Sequence, residues 1–256
     1  MIRSFNTNTR NLILRLVTII LVPAIVLTVF YNLYVFRSTY NKFADIGAEH
    51  SAALRLEMDE KLSLINSFLL SEAAGNDFAT ICYSDDMLQR NLSLSNIINH
   101  FTQRIQDIPE IAALFILSDS FCRDRYNSYI SFGESACLKA YAMSFLTEDT
   151  QNQVRRAIAW QSCLVGEDSY LIYHYISHNV QLVCFFSLEQ LYQNTLSSQY
   201  ENRTCILTDS AGNILFSCPD FPFEDSLKIP DQETPYYRTT TAGRYLYAPA
   251  FSEHTD

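Results

Sequence analysis

The sequence predicts an α+β protein carried on one membrane-spanning helix. Three observations say so. Leu16 to Val35 is a twenty-residue run without a charge. Two long helical patterns follow it before any strand pattern. The later strand patterns are short, and most are joined to a neighbour by a turn, as in antiparallel sheets.

The run LVTIILVPAIVLTVFYNLYV is long enough to cross the hydrocarbon core as a helix. Pro23 and Asn32 are its only helix-unfriendly residues, and proline is tolerated in spans. Tyr31 and Tyr34 stand where an interfacial aromatic belt lies. Arg3, Arg10 and Arg15 precede the run, and no acid occurs before Asp45. Positive charge beside a span stays in the cytoplasm, which puts the N-terminus inside and the rest outside. The reading is a cytoplasmic tail over residues 1–15 and a span over 16–36. A cleaved signal peptide fits less well, because the run exceeds a signal h-region and no A-x-A-like site follows.

Of the 18 bases, five precede Asp45, so 13 bases face 28 acids beyond it. A domain that acidic excludes nucleic-acid binding by the usual electrostatic route, and it is repelled by an anionic lipid surface. The seven cysteines show neither a CxxC pair nor zinc spacing. Cys184 and Cys205 lie in apolar runs and read as inert small hydrophobes. Cys122 and Cys137 flank a loop-like segment, and the sequence leaves open whether they pair in an oxidising compartment.

Beyond the span, Leu54, Met58, Leu62, Ile65 and Leu69 recur at spacings of four and three, one face of a stalk helix continuing from the membrane. That seam fits either a second copy, as a coiled coil, or the domain that follows. Ser84, Asp85 and Asp86 start a second helix, with Leu94, Ile97, Ile98, Phe101 and Ile105 on one face and Pro109 as its stop. Ile111 to Ser118 (IAALFILS) is apolar throughout and reads as a central strand covered on both faces. A short strand is expected at Tyr129 to Phe132, and a helix from Thr147 to about Ala157. Tyr170 to Ser177 and Val180 to Ser187 form a hairpin turning near His178 and Asn179. A short helix runs from Leu188 to Ser198. Arg203 to Thr208 and Asn213 to Ser217 flank a turn with Gly212 placed for positive φ. Tyr236 to Thr241 and Gly243 to Tyr247 form a last hairpin.

This order of elements, with the strand-turn-strand Ile206-Leu-Thr-Asp-Ser-Ala-Gly-Asn-Ile-Leu215, resembles the double Cache sensor region. The resemblance covers roughly Asn11 to Phe251. It implies two PAS-like antiparallel-sheet modules on one stalk helix: a membrane-distal module within residues 37–198 and a membrane-proximal one over 199–256. It also implies the sensing part of a receptor of the Gram-positive histidine-kinase type, with membrane-bound AraC-type regulators as the alternative. The proximal module reads as unfinished after Phe251, and no kinase His box, nucleotide-binding glycines or helix-turn-helix occurs. The expectation is a truncated or split receptor, or else a stand-alone tethered binding module.

No enzyme is expected. The five histidines lack ligand spacing, there is no G-x-S-x-G elbow, and no metal or cofactor is predicted. The resemblance places a ligand pocket in the distal module. Its candidates here are Trp160, Tyr170, Tyr173 and Tyr175 as aromatic walls, with Arg155 or Arg156 and Asp168 as charged groups. A plain sheet core with cross-strand pairs is the commoner use of such aromatics, since strands favour Tyr and Trp in any case. The partners expected are an unknown small molecule or a solute-binding protein, the membrane, and a second copy along the stalk.

Overall fold

The computed structural model describes residues 2–146, 156–166, 168–195, 205–209, 212–218, 235–240 and 243–252. Its first element, α1 (Ile2–Ala74), is one continuous helix that carries the uncharged run and the stalk pattern together. From Leu16 to Phe36 every side chain is exposed, including Ile19, Leu27 and Phe30. A helix apolar all round with nothing packed on it is built for lipid. The polar groups inside it are partly satisfied by the helix itself. Thr18 and Thr28 donate to the carbonyls of Leu14 and Ala24, each at 2.8 Å.

Higher up, α1 changes character. Leu54, Met58, Leu62, Ile65 and Leu69 are buried, as their spacing predicts, and Phe68 joins them. The seam packs on the domain that follows. Gly75 separates α1 from α2 (Asn76–Tyr83). The Asp86 carboxylate accepts from the Leu88 amide at 2.8 Å and starts α3 (Met87–Asp107), which ends at Ile108 before Pro109. Phe101 meets Phe68 edge-on at 6.2 Å, Arg104 lies 4.6 Å over the Phe68 ring, and His100 reaches Glu72. Rising numbers on α3 thus meet falling numbers on α1, so the two helices are antiparallel.

Five strands form one antiparallel sheet: β1 (Ile111–Ser118), β2 (Phe121–Tyr126), β3 (Arg156–Val165), β4 (Asp168–Ser177) and β5 (Val180–Ser187). Their order is β2-β1-β5-β4-β3. β1 is buried along its whole length and paired on both sides, as an all-apolar strand requires. β4 and β5 meet at His178, whose φ of 57° provides the tight turn. One face of the sheet packs on α1, α2 and α3. The other packs on α4 (Phe132–Ser144) through Leu138 and Ala142. α5 (Leu188–Thr195) follows β5 directly.

Two expectations are corrected. The chain from Tyr129 to Phe132 is not a strand. Ser131 accepts from the Glu134 amide, and Glu134 accepts from the Ser131 amide at 2.6 Å, a capping box that opens α4. Arg156 and Ala157 belong to β3 rather than to a helix, and the rest of that expected helix, residues 147–155, lies outside the described residues. Cys122 and Cys137 are separate thiols, not a pair.

Beyond α5 come two small hairpins, β6 (Cys205–Thr208) with β7 (Ile214–Cys218), and β8 (Tyr236–Thr240) with β9 (Gly243–Tyr247). Gly212 has φ 87°, the conformation its turn demands. Cys205, Leu207, Leu215 and Phe216 pack against the helix-side core. The segment after β9 lies against the stalk. Ser51 donates to the Ala248 carbonyl, Ser252 donates to Asp59, and Gly47 is so close that a Cβ there would meet the Ala248 Cβ at 3.1 Å.

Candidate functional site

The alternation of β4 divides the sequence-derived candidates between two faces. Tyr173 and Tyr175 point with Leu171 toward the helices, while Asp168 shares the register of Tyr170 and Ile172 on the α4 side. Trp160 joins the first group, with its ring 5.4 Å from Tyr173 and 6.2 Å from Phe186. Tyr175 meets Phe78 of α2 at 6.3 Å. Trp160, Tyr173 and Tyr175 are at most 8% exposed and stand in the packed core between sheet and stalk. Arg155 lies outside the described residues, and Arg156 begins β3. The structure therefore brings the three aromatics together and sets Asp168 apart from them.

The α4 face carries the polar groups. His174 is 5% exposed, and its Nε2 is 2.8 Å from Gln181 Oε1. The Phe145 ring lies 4.5 Å from the His174 ring, tilted by 33°. Gln181 Nε2 donates to the Phe145 carbonyl at 3.4 Å. Toward the other end of the same face stand Asp168, Glu134, Tyr129 and Tyr170. Hydrogen bonds from the Ser131 hydroxyl and amide hold the Glu134 carboxyl below its usual range. Burial pushes the Tyr129 and Tyr170 hydroxyls up, and the Cys163 thiol up to about 12. These groups stay neutral at physiological pH, hydroxyls and a thiol among aromatic rings. Their chemistry suits hydrogen bonding to a small polar molecule; no activated nucleophile stands among them. No group of three or more His, Cys, Asp or Glu side chains among the described residues is placed to hold a metal.

A second polar feature joins three elements. Glu110 sits between α3 and β1 and is 1% exposed. Lys61 of α1 donates to its Oε1 at 2.6 Å, and Asn194 of α5 donates to the same oxygen at 2.8 Å. Glu110 Oε2 is buried with no hydrogen-bond partner among the described residues. Lys61 also reaches Glu57 at 2.8 Å. Burial pulls the Lys61 ammonium toward losing its proton, but the hydrogen bonds and charges of Glu110 and Glu57 outweigh it, and the net shift is upward. Sequence reading missed this cluster. Its one legible signal was Glu110, an acid between a helix-stopping proline and an all-apolar strand.

No family model and no curated protein matches the chain. Solved structures do. The periplasmic sensory domain of the Campylobacter jejuni chemoreceptor Tlp1 matches at 10% identity and a TM-score of 0.46, over 70% of this chain and 74% of that one. The ligand-binding domain of the Pseudomonas aeruginosa PAO1 amino-acid chemoreceptor PctC, in complex with GABA, matches at 14% identity and a TM-score of 0.42. It covers 78% of this chain and 88% of that one. At these identities and TM-scores, neither likeness says what this chain does.

Proposed function

We propose that the chain is the extracytoplasmic sensing region of a transmembrane signalling receptor, of the double Cache type and divided into modules at residues 198/199. One observation carries the reading: α1 is bare and apolar from Leu16 to Phe36 and, without a break, forms the buried wall of the sensing domain from Leu54 to Leu69. A ligand signals by binding one of two arrangements better than the other. Any rearrangement of this core is transmitted to the membrane by the helix it is packed on. The small molecule is received on the α4 face, where His174, Gln181, Asp168 and Tyr170 place polar groups among aromatic rings. The opposite face is closed by α1, α2 and α3. A soluble binding protein delivering the ligand, and a second copy aligned along the stalk, fit the same reading. The histidine-kinase class of receptor follows from the resemblance alone.

The test is topological first. An alkaline phosphatase fused after Asp256 is active and a cytoplasmic reporter at the same site is silent. The reverse result refutes the reading. A small-molecule screen by thermal shift on the full chain then yields a ligand whose stabilisation is lost in Asp168→Asn or His174→Ala. Stabilisation kept in both variants moves the site off the α4 face.

A further inference from the structure

Four large apolar side chains stand bare within a short stretch of chain. Tyr83 ends α2, and Met87, Leu88 and Leu92 belong to the first turns of α3. They are 60%, 78%, 80% and 65% exposed. A single exposed leucine needs no reason, but a cluster does. Beyond α1, the other exposed large apolar side chains among the described residues, Phe132, Met143, Leu164 and Phe251, lie far apart along the chain.

The place of the cluster narrows what can cover it. α3 runs antiparallel to α1, and His100 is level with Glu72. Leu88 is about 18 Å farther along α3 in the direction away from the membrane. α1 itself ends at Ala74, about 57 Å of helix beyond Phe36. The cluster therefore crowns the end remote from the bilayer, out of reach of the lipid that α1 spans. Its rim is acidic. Asp85 and Asp86 are exposed between Tyr83 and Met87, and Asp119 is exposed in the turn after β1, at the same end of the sheet as His178. Arg90 is the one base between Tyr83 and Leu92. A second copy, seated here symmetrically, brings the same acids face to face.

We propose that this tip, Tyr83, Met87, Leu88 and Leu92 within an acidic rim, docks a soluble extracytoplasmic protein whose apolar recess is edged by lysine or arginine. The inference rests on the sensing-region reading and deepens it by giving the soluble binding protein a landing place. Contact at the tip bears on the ligand face. The Tyr83 hydroxyl is 2.9 Å from His178 Nε2, and the two rings meet edge-on at 4.9 Å. His178 turns β4 into β5. A partner seated against Tyr83 presses on the turn whose two strands carry the His174–Gln181 hydrogen bond.

The experiment exchanges Leu88 for the photocrosslinker p-benzoylphenylalanine in the full chain in its own cells, with Asn99, exposed on the same helix, exchanged for comparison. Irradiation gives one adduct of discrete mass from Leu88 and none from Asn99. The captured protein is identified by mass spectrometry, purified, and used as the probe against the full chain in nanodiscs. Met87→Ser combined with Leu88→Ser weakens its binding at least about tenfold and leaves the melting temperature unchanged. Asp85→Asn combined with Asp86→Asn, which keeps a cap on α3, flattens the loss of affinity between about 50 and about 500 mM salt. The docking surface is overturned by no adduct at Leu88, by an adduct that is the chain itself, by equal adducts from Asn99, or by binding that ignores either pair of substitutions. In parallel, intact cells are treated with a membrane-impermeant maleimide that reads exposed Cys137, with Cys137→Ser as control. Absent labelling overturns the topology, and labelling without a tip adduct overturns the docking surface alone.

Discussion

Replacing Lys61 by methionine removes the ammonium that faces Glu110 and keeps most of the apolar stem. The Glu110 carboxylate is 1% exposed, and its remaining hydrogen bond is the Asn194 amide on Oε1. Breaking a buried pair from one side strands the other charge, at a cost of about 3–5 kcal/mol. Lys61 is itself 21% exposed and shared with Glu57, which places the loss toward the lower end. For a chain of this size, about 3 kcal/mol lowers the melting temperature by roughly 6–12 °C. Glu110→Gln costs less, because Lys61 retains Glu57 and solvent. The double variant is then more stable than the sum of the two losses requires, the signature of a coupled pair. The pH dependence follows from the upward shift at Lys61 from 10.5. A base whose folded value is raised gives its full stabilisation below the unfolded value, about 10.4, and loses it as pH rises through the folded one. The parent therefore loses an alkaline increment of stability that Lys61→Met lacks. The assay is thermal unfolding of the detergent-solubilised chain by circular dichroism, between pH 7 and 11. A Lys61→Met shift under about 2 °C at pH 7, or parallel alkaline limbs in parent and variant, refutes the reasoning.

Other substitutions test the packing. Phe115→Ala deletes a fully buried ring that meets Tyr126 and Phe185, each at 5.6 Å, and costs about 3–5 kcal/mol by chemical denaturation; a loss below about 1 kcal/mol contradicts a buried central β1. Ser131→Ala removes the cap of α4 and costs about 0.5–2 kcal/mol in the same measurement, with no change if the capping box is not formed. Gly47→Leu forces a side chain into the space of Ala248, so protease cleavage near residue 248 rises several-fold while the melting of the distal sheet holds; unchanged cleavage rules that contact out.

The elements the sequence reveals are those with one strong period. The α1 seam and the α3 face repeat every three or four residues, β1 is an apolar run, and β4 and β5 are largely apolar runs that His174 and Gln181 interrupt. The missed elements lack such a signal. α2 has eight residues, too few for a periodic face. α4 buries only Leu138 and Ala142, although Ser131 and Glu134 announced its start. β3 changes register between Ile158 and Gln161, which breaks its alternation. For the site, residue type suggested Trp160, Tyr173, Tyr175 and Asp168 together. The two-residue period of β4 already separates Asp168 from Tyr173 and Tyr175. Which face the helices close is decided by packing between distant segments, and no local pattern records that.

The unbroken α1 is a lever, and its length sets the gain. From Ile65, fixed in the sheet-side core, to Phe36 at the membrane is about 44 Å of helix. A tilt of roughly 2° about Ile65 carries Phe36 sideways by about 1.5 Å, a displacement comparable to helix shifts that switch other proteins. Gly47 is the most compliant point along that arm, the one position between Phe36 and Ala74 without a side chain to stiffen it. Ala248 rests against that point, and Ser51 and Asp59 hold the same segment above it. The segment after β9 is thus a splint across the softest joint of the lever. Its contacts with Gly47, Ser51 and Asp59 stiffen the arm where its backbone is freest to bend.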